Sequence, residues 1–139
     1  MSSLKDIKKS SRTKFLPLRL MYTSPLMEDS LIDNSNVLYN VTISLDPSIE
    51  TDWLHWMQHT HIPDVLKSAC FLRCLISKVN GNEPGECTYS VLYWAKNATS
   101  LDRYFNEFAQ RLQQEHTSRY DGKFVAFRTT MNVINTLEP

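Results

Sequence analysis

This chain contains little glycine, no excess of charge of one sign and no long apolar run. Only three of the 139 residues are glycine, which argues against the glycine-rich loops that let the backbone approach a phosphate. The 15 basic residues equal the 15 acidic ones, so no net charge attracts nucleic acid or an anionic lipid surface. No segment approaches the roughly 20 apolar residues of a membrane span. We therefore expect one soluble, compact domain that binds neither nucleic acid nor membrane.

Cysteine usage indicates neither a disulfide framework nor a zinc site. The three cysteines, Cys70, Cys74 and Cys87, are odd in number, and no second Cys or Cys/His pair completes a four-ligand zinc site. If they lie on one strand, Cys70 and Cys74 share a face but are too far apart for a disulfide. We expect three reduced thiols and a cytoplasmic location.

The zero net charge is a cancellation between two parts of the chain. Residues 1–27 carry six basic side chains against a single acid, whereas the chain from residue 37 onward carries nine basic and eleven acidic ones. We expect residues 1–36 to be a basic, disordered extension, residues 37–135 the folded domain, and residues 136–139 a tail. A transit-like segment and a tail that binds anionic surfaces are the alternatives for the extension.

Hydrophobic periodicity predicts a strand and then a helix at the start of the domain. Apolar and polar residues alternate over residues 37–45, which indicates a half-buried strand. Asp46 or Ser48 can then cap a helix, and the apolar stripe after them predicts a helix that ends near His61. Pro63 lacks the N–H that a helix interior needs, so we expect it to open a short second helical piece over residues 64–68.

The remaining pattern predicts a hairpin, a helix and a last strand. Residues 71–79 and 87–95 are rich in apolar and branched side chains, and the turn residues between them predict a hairpin. Apolar positions at spacings of three and four from Leu101 to His116 predict an amphipathic helix, which ends before Gly122. Residues 123–134 are predicted to form the fourth strand.

This order of elements predicts a ferredoxin-like α+β fold, in which a four-stranded antiparallel sheet carries both helices on one face. The first and third strands are expected at the centre. The other face would expose large apolar side chains, which is unusual for a monomer, so we expect a homodimer of the α+β-barrel kind with two sheets packed face to face. Depending on register, the residues expected on that open face are Leu38, Leu92, Trp94, Phe124 and Ala126, mixed with Asn40, Thr42, Ser90, Arg128 and Thr130.

The segment from Trp53 to Asp64 is the densest chemical constellation, since it holds three of the four histidines. His55 and His59 share a helix face and could bind a metal, with His116 or Asp64 as a third ligand only if the fold brings one of them near. The segment lacks the glutamate of the zinc pattern HExxH, so we predict no metal site there. His61 continues toward the apolar face and lies at the expected helix end, where the helix dipole favours its charged form. It is the candidate acid, base or ligand donor, and a structural histidine is the alternative.

Arg128, in the middle of the last strand, is the second candidate catalytic residue. Arginine is rarely buried without a partner, so a buried Arg128 needs a carboxylate such as Asp64 or Glu115, or an acidic ligand. Aromatic side chains near it are candidates for lining a pocket, although aromatic residues at strand and helix spacing are more often core. The residues predicted to contact a small-molecule ligand are Tyr39, Trp53, Trp56, Tyr93 and Trp94. No cofactor is predicted.

Three motifs together carry a family resemblance. They are YNVT from Tyr39, WLxWMxxxHIPDVL from Trp53, and AFRTT from Ala126. Over roughly residues 37–135 the chain resembles an uncharacterised bacterial family, domain of unknown function 4286. Where that family commonly has glycine before an aromatic residue, this chain has Cys70, so we expect the turn there to differ.

The resemblance implies a dimeric α+β-barrel relative and no particular activity. That superfamily includes cofactor-free monooxygenases, isomerases, haem-binding decolorising enzymes and stress-response proteins, and a fold does not fix a function. Our first hypothesis is a barrel that binds a small molecule or acts in stress or regulation. The second is a cofactor-independent monooxygenase or isomerase, in which His61 is a base or hydrogen-bond donor and Arg128 holds an acidic or enolic substrate. The third is a haem-binding protein. An enclosed apolar cavity into which His61 and Arg128 both point would favour the enzyme, and a filled core with Arg128 paired to a carboxylate would contradict it.

Overall fold

The computed structural model describes residues 36–81 and 83–139, and residues 1–35 of the predicted extension lie outside them. Four strands and four short α-helices follow one another along the described chain. Their bounds are β1 Val37–Leu45, α1 Glu50–Trp56, α2 Ile62–Leu66, β2 Phe71–Lys78, β3 Thr88–Ala95, α3 Ala98–Glu107, α4 Ala109–Arg119 and β4 Phe124–Asn132. None of the described helices is long and apolar enough to cross a membrane.

The strands form one antiparallel sheet in the order β2-β3-β1-β4. The ferredoxin-like α+β prediction is therefore confirmed, with β1 and β3 at the centre. Alternation sets the buried face: Tyr39 and Ile43 of β1 and Val91 of β3 are buried, because successive side chains of a strand point to opposite faces. The helices pack on that face and contribute buried side chains such as Trp53 and Leu112.

Local hydrogen bonds and backbone conformation explain where the helices begin and end. Asp46 accepts the backbone N–H of Ser48 at 2.9 Å and so caps the 3₁₀ turn that leads into α1. Asn97 caps α3 in the same way through the N–H of Ser100. After α4, Gly122 has a φ of 74°, the left-handed conformation in which glycine meets no steric penalty.

The first helix does not end near His61, so that prediction is wrong. Between α1 and α2 the chain makes a π-helical turn, Met57–His61, and the N–H of Ile62 bonds to the carbonyl of Met57 five residues back. Pro63 then lies within the first turn of α2. The wider turn offers a physical reason, because a proline ring in a regular helix clashes with the carbonyl four residues before it.

The side chains of β4 that were expected on the open face of the sheet lie on its helix side. Ala126 pairs with Ile43 and Arg128 with Val41, and residues directly opposite each other in an antiparallel pair lie on the same face. Phe124, Ala126, Arg128 and Thr130 therefore lie on the helix side of the sheet, and not on the open face. Leu38, Leu92 and Trp94 lie on the open face as expected, and its other apolar residues are Leu75, Val125, Phe127 and Met131.

The turn before β2 contains an unusual backbone conformation. Ala69 has a φ of 61°, and it is the only described non-glycine residue with a positive φ. Its neighbour Cys70 is fully buried. Arg103 of α3 donates to the carbonyl of Ser68 at 3.1 Å and approaches the Cys70 sulfur at 3.5 Å, so the turn is fixed against α3.

Candidate functional site

A cavity lies between the helices and the sheet, beside β4. Its volume is about 40 Å³, room for about three water molecules. The helices contribute Trp53, Met57, His61, Tyr104, Gln113 and His116, and the strands contribute Tyr39, Val41, Ile43, Val91, Tyr93, Phe124, Ala126 and Arg128. The walls are largely apolar, and the polar groups come from a few side chains, as in many small-molecule sites.

Arg128 brings the cationic charge to this cavity. It is exposed on the edge strand while also lining the cavity, which places it at the mouth. The two carboxylates expected as its partners bind elsewhere: Asp64 is 3.5 Å from Lys67, and Glu115 is 3.1 Å from Arg111. Among the described residues no carboxylate forms an ion pair with Arg128.

His116 is held by a buried hydrogen bond. The indole N–H of Trp53 donates to Nε2 of His116 at 2.8 Å, so the neutral ring carries its proton on Nδ1. The ring also meets Phe124 edge to face, with 4.5 Å between centroids. Burial, the neighbouring His61 and the charge of Arg128 together lower the pKa of His116 to about 4. His116 is therefore neutral at physiological pH.

His61 is buried and neutral as well. Only 9% of the residue is exposed, and its ring stacks on Trp56 with centroids 5.0 Å apart. Burial lowers the pKa of His61 to about 4, against the weaker opposing effects of Glu115 and Asp64. The expectation that a helix dipole favours its charged form is thus wrong, because no helix end lies at His61 and desolvation dominates. Its Nδ1 has no hydrogen-bond partner among the described residues.

Three phenols complete the polar lining. Burial raises the pKa values of Tyr39, Tyr93 and Tyr104, so all three stay protonated and can donate a hydrogen bond. For Tyr39, the charge and hydrogen bonding of Arg128 and the hydrogen bonding of Gln113 oppose this rise. Tyr39, Arg128 and Gln113 all line the cavity, and Arg128 pairs with Val41, two residues from Tyr39 on the same face of β1.

The structure brings together five of the seven predicted site residues. His61, Arg128, Tyr39, Trp53 and Tyr93 line the cavity. Their roles there remain predictions.

The two other predicted residues lie outside the lining. Trp56 stacks on the His61 ring but does not line the cavity itself. Trp94 lies on the open face of the sheet, where the Arg73 guanidinium is 4.4 Å from its ring centroid, because its neighbour Tyr93 takes the inward position of the strand.

Sequence reasoning did not assign Gln113 and His116 to this site. His116 had a signal, since it continues the apolar stripe of the last helix. Gln113 precedes His116 by three residues and so shares its helix face, but a lone glutamine on a helix carries no chemical signature of its own.

The histidines outside the cavity form a separate pair. The rings of His55 and His59 stack with centroids 4.3 Å apart, and Nδ1 of His59 lies 2.9 Å from the His55 carbonyl oxygen. Within residues 36–81 and 83–139, no three His, Cys, Asp or Glu side chains are grouped so that they could hold a metal ion. A third ligand for this pair is thus lacking in the described part of the chain.

The chemistry that this cavity offers is recognition of an oxygen-bearing, partly apolar molecule. It combines a cation at the mouth, phenol and amide donors, and two neutral imidazoles. With pKa values of about 4, the imidazoles are weak bases at neutral pH and serve better as hydrogen-bonding groups. At about 40 Å³ the cavity does not accommodate a porphyrin, so these residues do not fit a haem.

Solved structures of low sequence identity share this fold. A dimeric ferredoxin-like protein from an uncultured marine organism is 9% identical, with a TM-score of 0.57 over 73% of this chain and 98% of that one. SnoaB, a cofactor-independent oxygenase from Streptomyces nogalater, is 10% identical, with a TM-score of 0.53 over 76% and 99%. The ActVA-Orf6 monooxygenase of Streptomyces coelicolor, in complex with nanaomycin D, is 11% identical, with a TM-score of 0.55 over 76% and 94%. At such identities the likeness shows the fold alone.

Sequence comparison identifies a family without an assigned activity. No curated protein matches the chain. The model described as "Domain of unknown function (DUF4286)" matches residues 36–134, which is all of the described fold from the residue before β1 to the residues after β4. The chain therefore belongs to the DUF4286 family.

Proposed function

We propose that this protein binds a small molecule in the cavity between its helices and its sheet, with His61 and Arg128 as the principal polar contacts. The observation that carries the proposal is that these two residues, chosen from sequence alone, line the same largely apolar cavity. Tyr39, Trp53 and Tyr93 would contact the ligand. Trp56 would hold the His61 ring in position by stacking on it. The described cysteines are free, in keeping with a cytoplasmic site of action.

The test of binding is a thermal-shift screen of the full-length protein with small carboxylic acids, phenols and enols. A cavity-filling variant, Ala126→Leu, should abolish the shifts, because Ala126 lines the cavity. Val125→Leu is the matched control, since Val125 is the next residue of β4 and faces the other side, 73% exposed. Equal shifts in both variants, or no shift in the wild type, would contradict the proposal.

We also propose that the protein is a homodimer through the open face of the sheet. Val125 and Phe127 are 73% and 64% exposed there, and exposed apolar patches of this kind mark interfaces. The indole nitrogen of Trp94 is shielded from solvent and has no acceptor among the described residues, although a buried tryptophan N–H usually has one. Native mass spectrometry of the purified protein would report the dimer and any retained ligand together, and a monomer mass would overturn this assembly.

Catalysis without a cofactor is a second candidate function. Two observations favour it: His61 and Arg128 share a cavity without a described carboxylate to neutralise Arg128, and two proteins of this fold are an oxygenase and a monooxygenase. In this case Arg128 would hold the oxyanion of an enolic substrate, and His61 would donate or accept a hydrogen bond. Oxygen uptake with acetylacetone as the enolic probe tests it. Uptake that Ala replacement of His61 abolishes supports catalysis, and no uptake in the wild type contradicts it.

A further inference from the structure

We propose that the ligand of this cavity is a monoanion, a small carboxylate or enolate whose oxyanion is bound by Arg128, Tyr39 and Gln113 and whose short apolar body fills the interior. This inference rests on the proposed function and names the class of molecule that the cavity would take. Three properties of the described residues carry it: the charge of the lining, its hydrogen-bond donors and the shape of the space.

The charge of the lining has one sign. Arg128 is a permanent cation, and none of the described residues that line the cavity is an aspartate or a glutamate. Its two histidines are neutral because burial lowers their pKa values to about 4. A single guanidinium beside an apolar, acid-free wall favours an anion, since a charge-assisted hydrogen bond is stronger than a neutral one.

The donors line one cavity. Arg128 pairs with Val41, two residues from Tyr39 on the same face of β1, and Gln113 lines the same cavity from α4. The Tyr39 phenol stays protonated because burial raises its pKa. Each of the three side chains therefore has an N–H or O–H to give, and the guanidinium can bind two oxygens at once. A planar oxyanion satisfies this set better than an alcohol or an amine.

The space inside limits the rest of the ligand. Val41, Ile43, Met57 and Val91 form apolar walls, and the cavity volume of about 40 Å³ leaves no room for a large ring system. A short alkyl or alkenyl chain fits there, with its charged end directed at the mouth. His61, whose Nδ1 has no partner among residues 36–81 and 83–139, offers one further polar contact at depth.

Butyrate and its neutral isostere butyramide are the probes for this inference. The full-length protein is titrated with each, and backbone and side-chain amide resonances are followed by NMR. We expect butyrate to shift resonances of the cavity residues and to bind at least tenfold more tightly than butyramide. Arg128→Gln should lower butyrate affinity by about tenfold and leave butyramide unchanged, and Tyr39→Phe should weaken butyrate by a smaller factor.

Lys123→Gln is the matched control, because it removes one positive charge from an exposed residue just before β4 without touching the cavity. Its butyrate affinity should equal that of the wild type. If butyramide binds the cavity as tightly as butyrate, or if the Lys123 and Arg128 variants lose the same affinity, the anion inference is wrong while the proposed function stands. If neither probe shifts the cavity resonances, both are contradicted.

Discussion

The indole N–H of Trp53 donates to Nε2 of His116 across 2.8 Å in the interior of the protein. The bond joins α1 to α4 through two residues that are 63 positions apart in the chain, and it sets the tautomer of an imidazole that lines the cavity. A protonated His116 would have to break it, because Nε2 could no longer accept. The same contact thus connects helix packing, the neutral state of the site and the response to acid.

Replacing Trp53 by Phe should destabilise the protein by about 1–3 kcal/mol beyond the loss of ring volume, because a buried acceptor loses its donor. Trp56→Phe is the matched control, since it removes the same atoms from a half-buried tryptophan of the same helix. Urea unfolding at pH 7.5 measures both. The pKa of His116, followed by NMR, should rise in the Trp53 variant only; equal values in both variants would refute a role for the bond.

Acid should destabilise the fold well before its carboxylates are protonated. The pKa values of His61 and His116 are about 4 in the folded protein and about 6.5 in an unfolded chain. Between these values the unfolded chain binds more protons, so stability is complete above pH 6.5 and is lost as the pH falls toward 4. At pH 5 the loss amounts to about 2 kcal/mol for each histidine.

The measurement is the free energy of unfolding in urea at pH 7.5 and at pH 5. His61→Gln should remove about half of the difference, since glutamine does not titrate. His55→Gln, at an exposed position, should leave it unchanged. A stability that is flat from pH 7.5 to pH 5 would show that the two rings are not held neutral by burial.

Much of the fold could be predicted because alternation along a half-buried strand is a strong signal. The predicted bounds of β1 agree with the structure, and those of the other strands differ by one or two residues at their ends. Alternation in the sequence could not show which face of the sheet each side chain of β4 occupies. Its residues Phe124, Val125, Ala126 and Phe127 are apolar on both faces, so pairing with β1, and not periodicity, decides which side Arg128 occupies.

The candidate site was predictable in part for a related reason. His61 and Arg128 are chemically distinctive residue types at positions that the pattern placed on or near buried faces. Their environment depends on contacts that no spacing reports: a π-helical turn in place of a helix end, and a cavity completed by Gln113 and His116 from a distant helix. Burial then fixed the imidazoles as neutral, against the sequence expectation for His61.

Replacing Ala69 by Gly should stabilise the protein. The positive φ of 61° costs an alanine about 1–2 kcal/mol, and glycine removes this cost. Glycine also gives the unfolded chain more conformational freedom, which lowers stability by about 0.4–1 kcal/mol. The expected net gain in stability is therefore about 0.5–1 kcal/mol. Ala98→Gly, at the start of α3, is the control and should lose stability. Thermal unfolding of both variants checks the sign, and a loss in the Ala69 variant would mean that the left-handed turn is not strained.

Phe127→Glu should convert the proposed dimer to a monomer. The side chain is 64% exposed on the open face between Val125 and Met131, and a carboxylate there would be buried without a partner if two sheets met face to face. The fold itself should survive, because Phe127 does not belong to the core beneath the helices. Leu137→Glu is the matched control, since Leu137 is 82% exposed and follows the end of β4. Light scattering coupled to size exclusion gives the mass of each variant. We expect a dimer for the wild type and the Leu137 variant and a monomer for the Phe127 variant, whereas a Phe127 variant with the mass of the wild type would show that the apolar face serves another purpose.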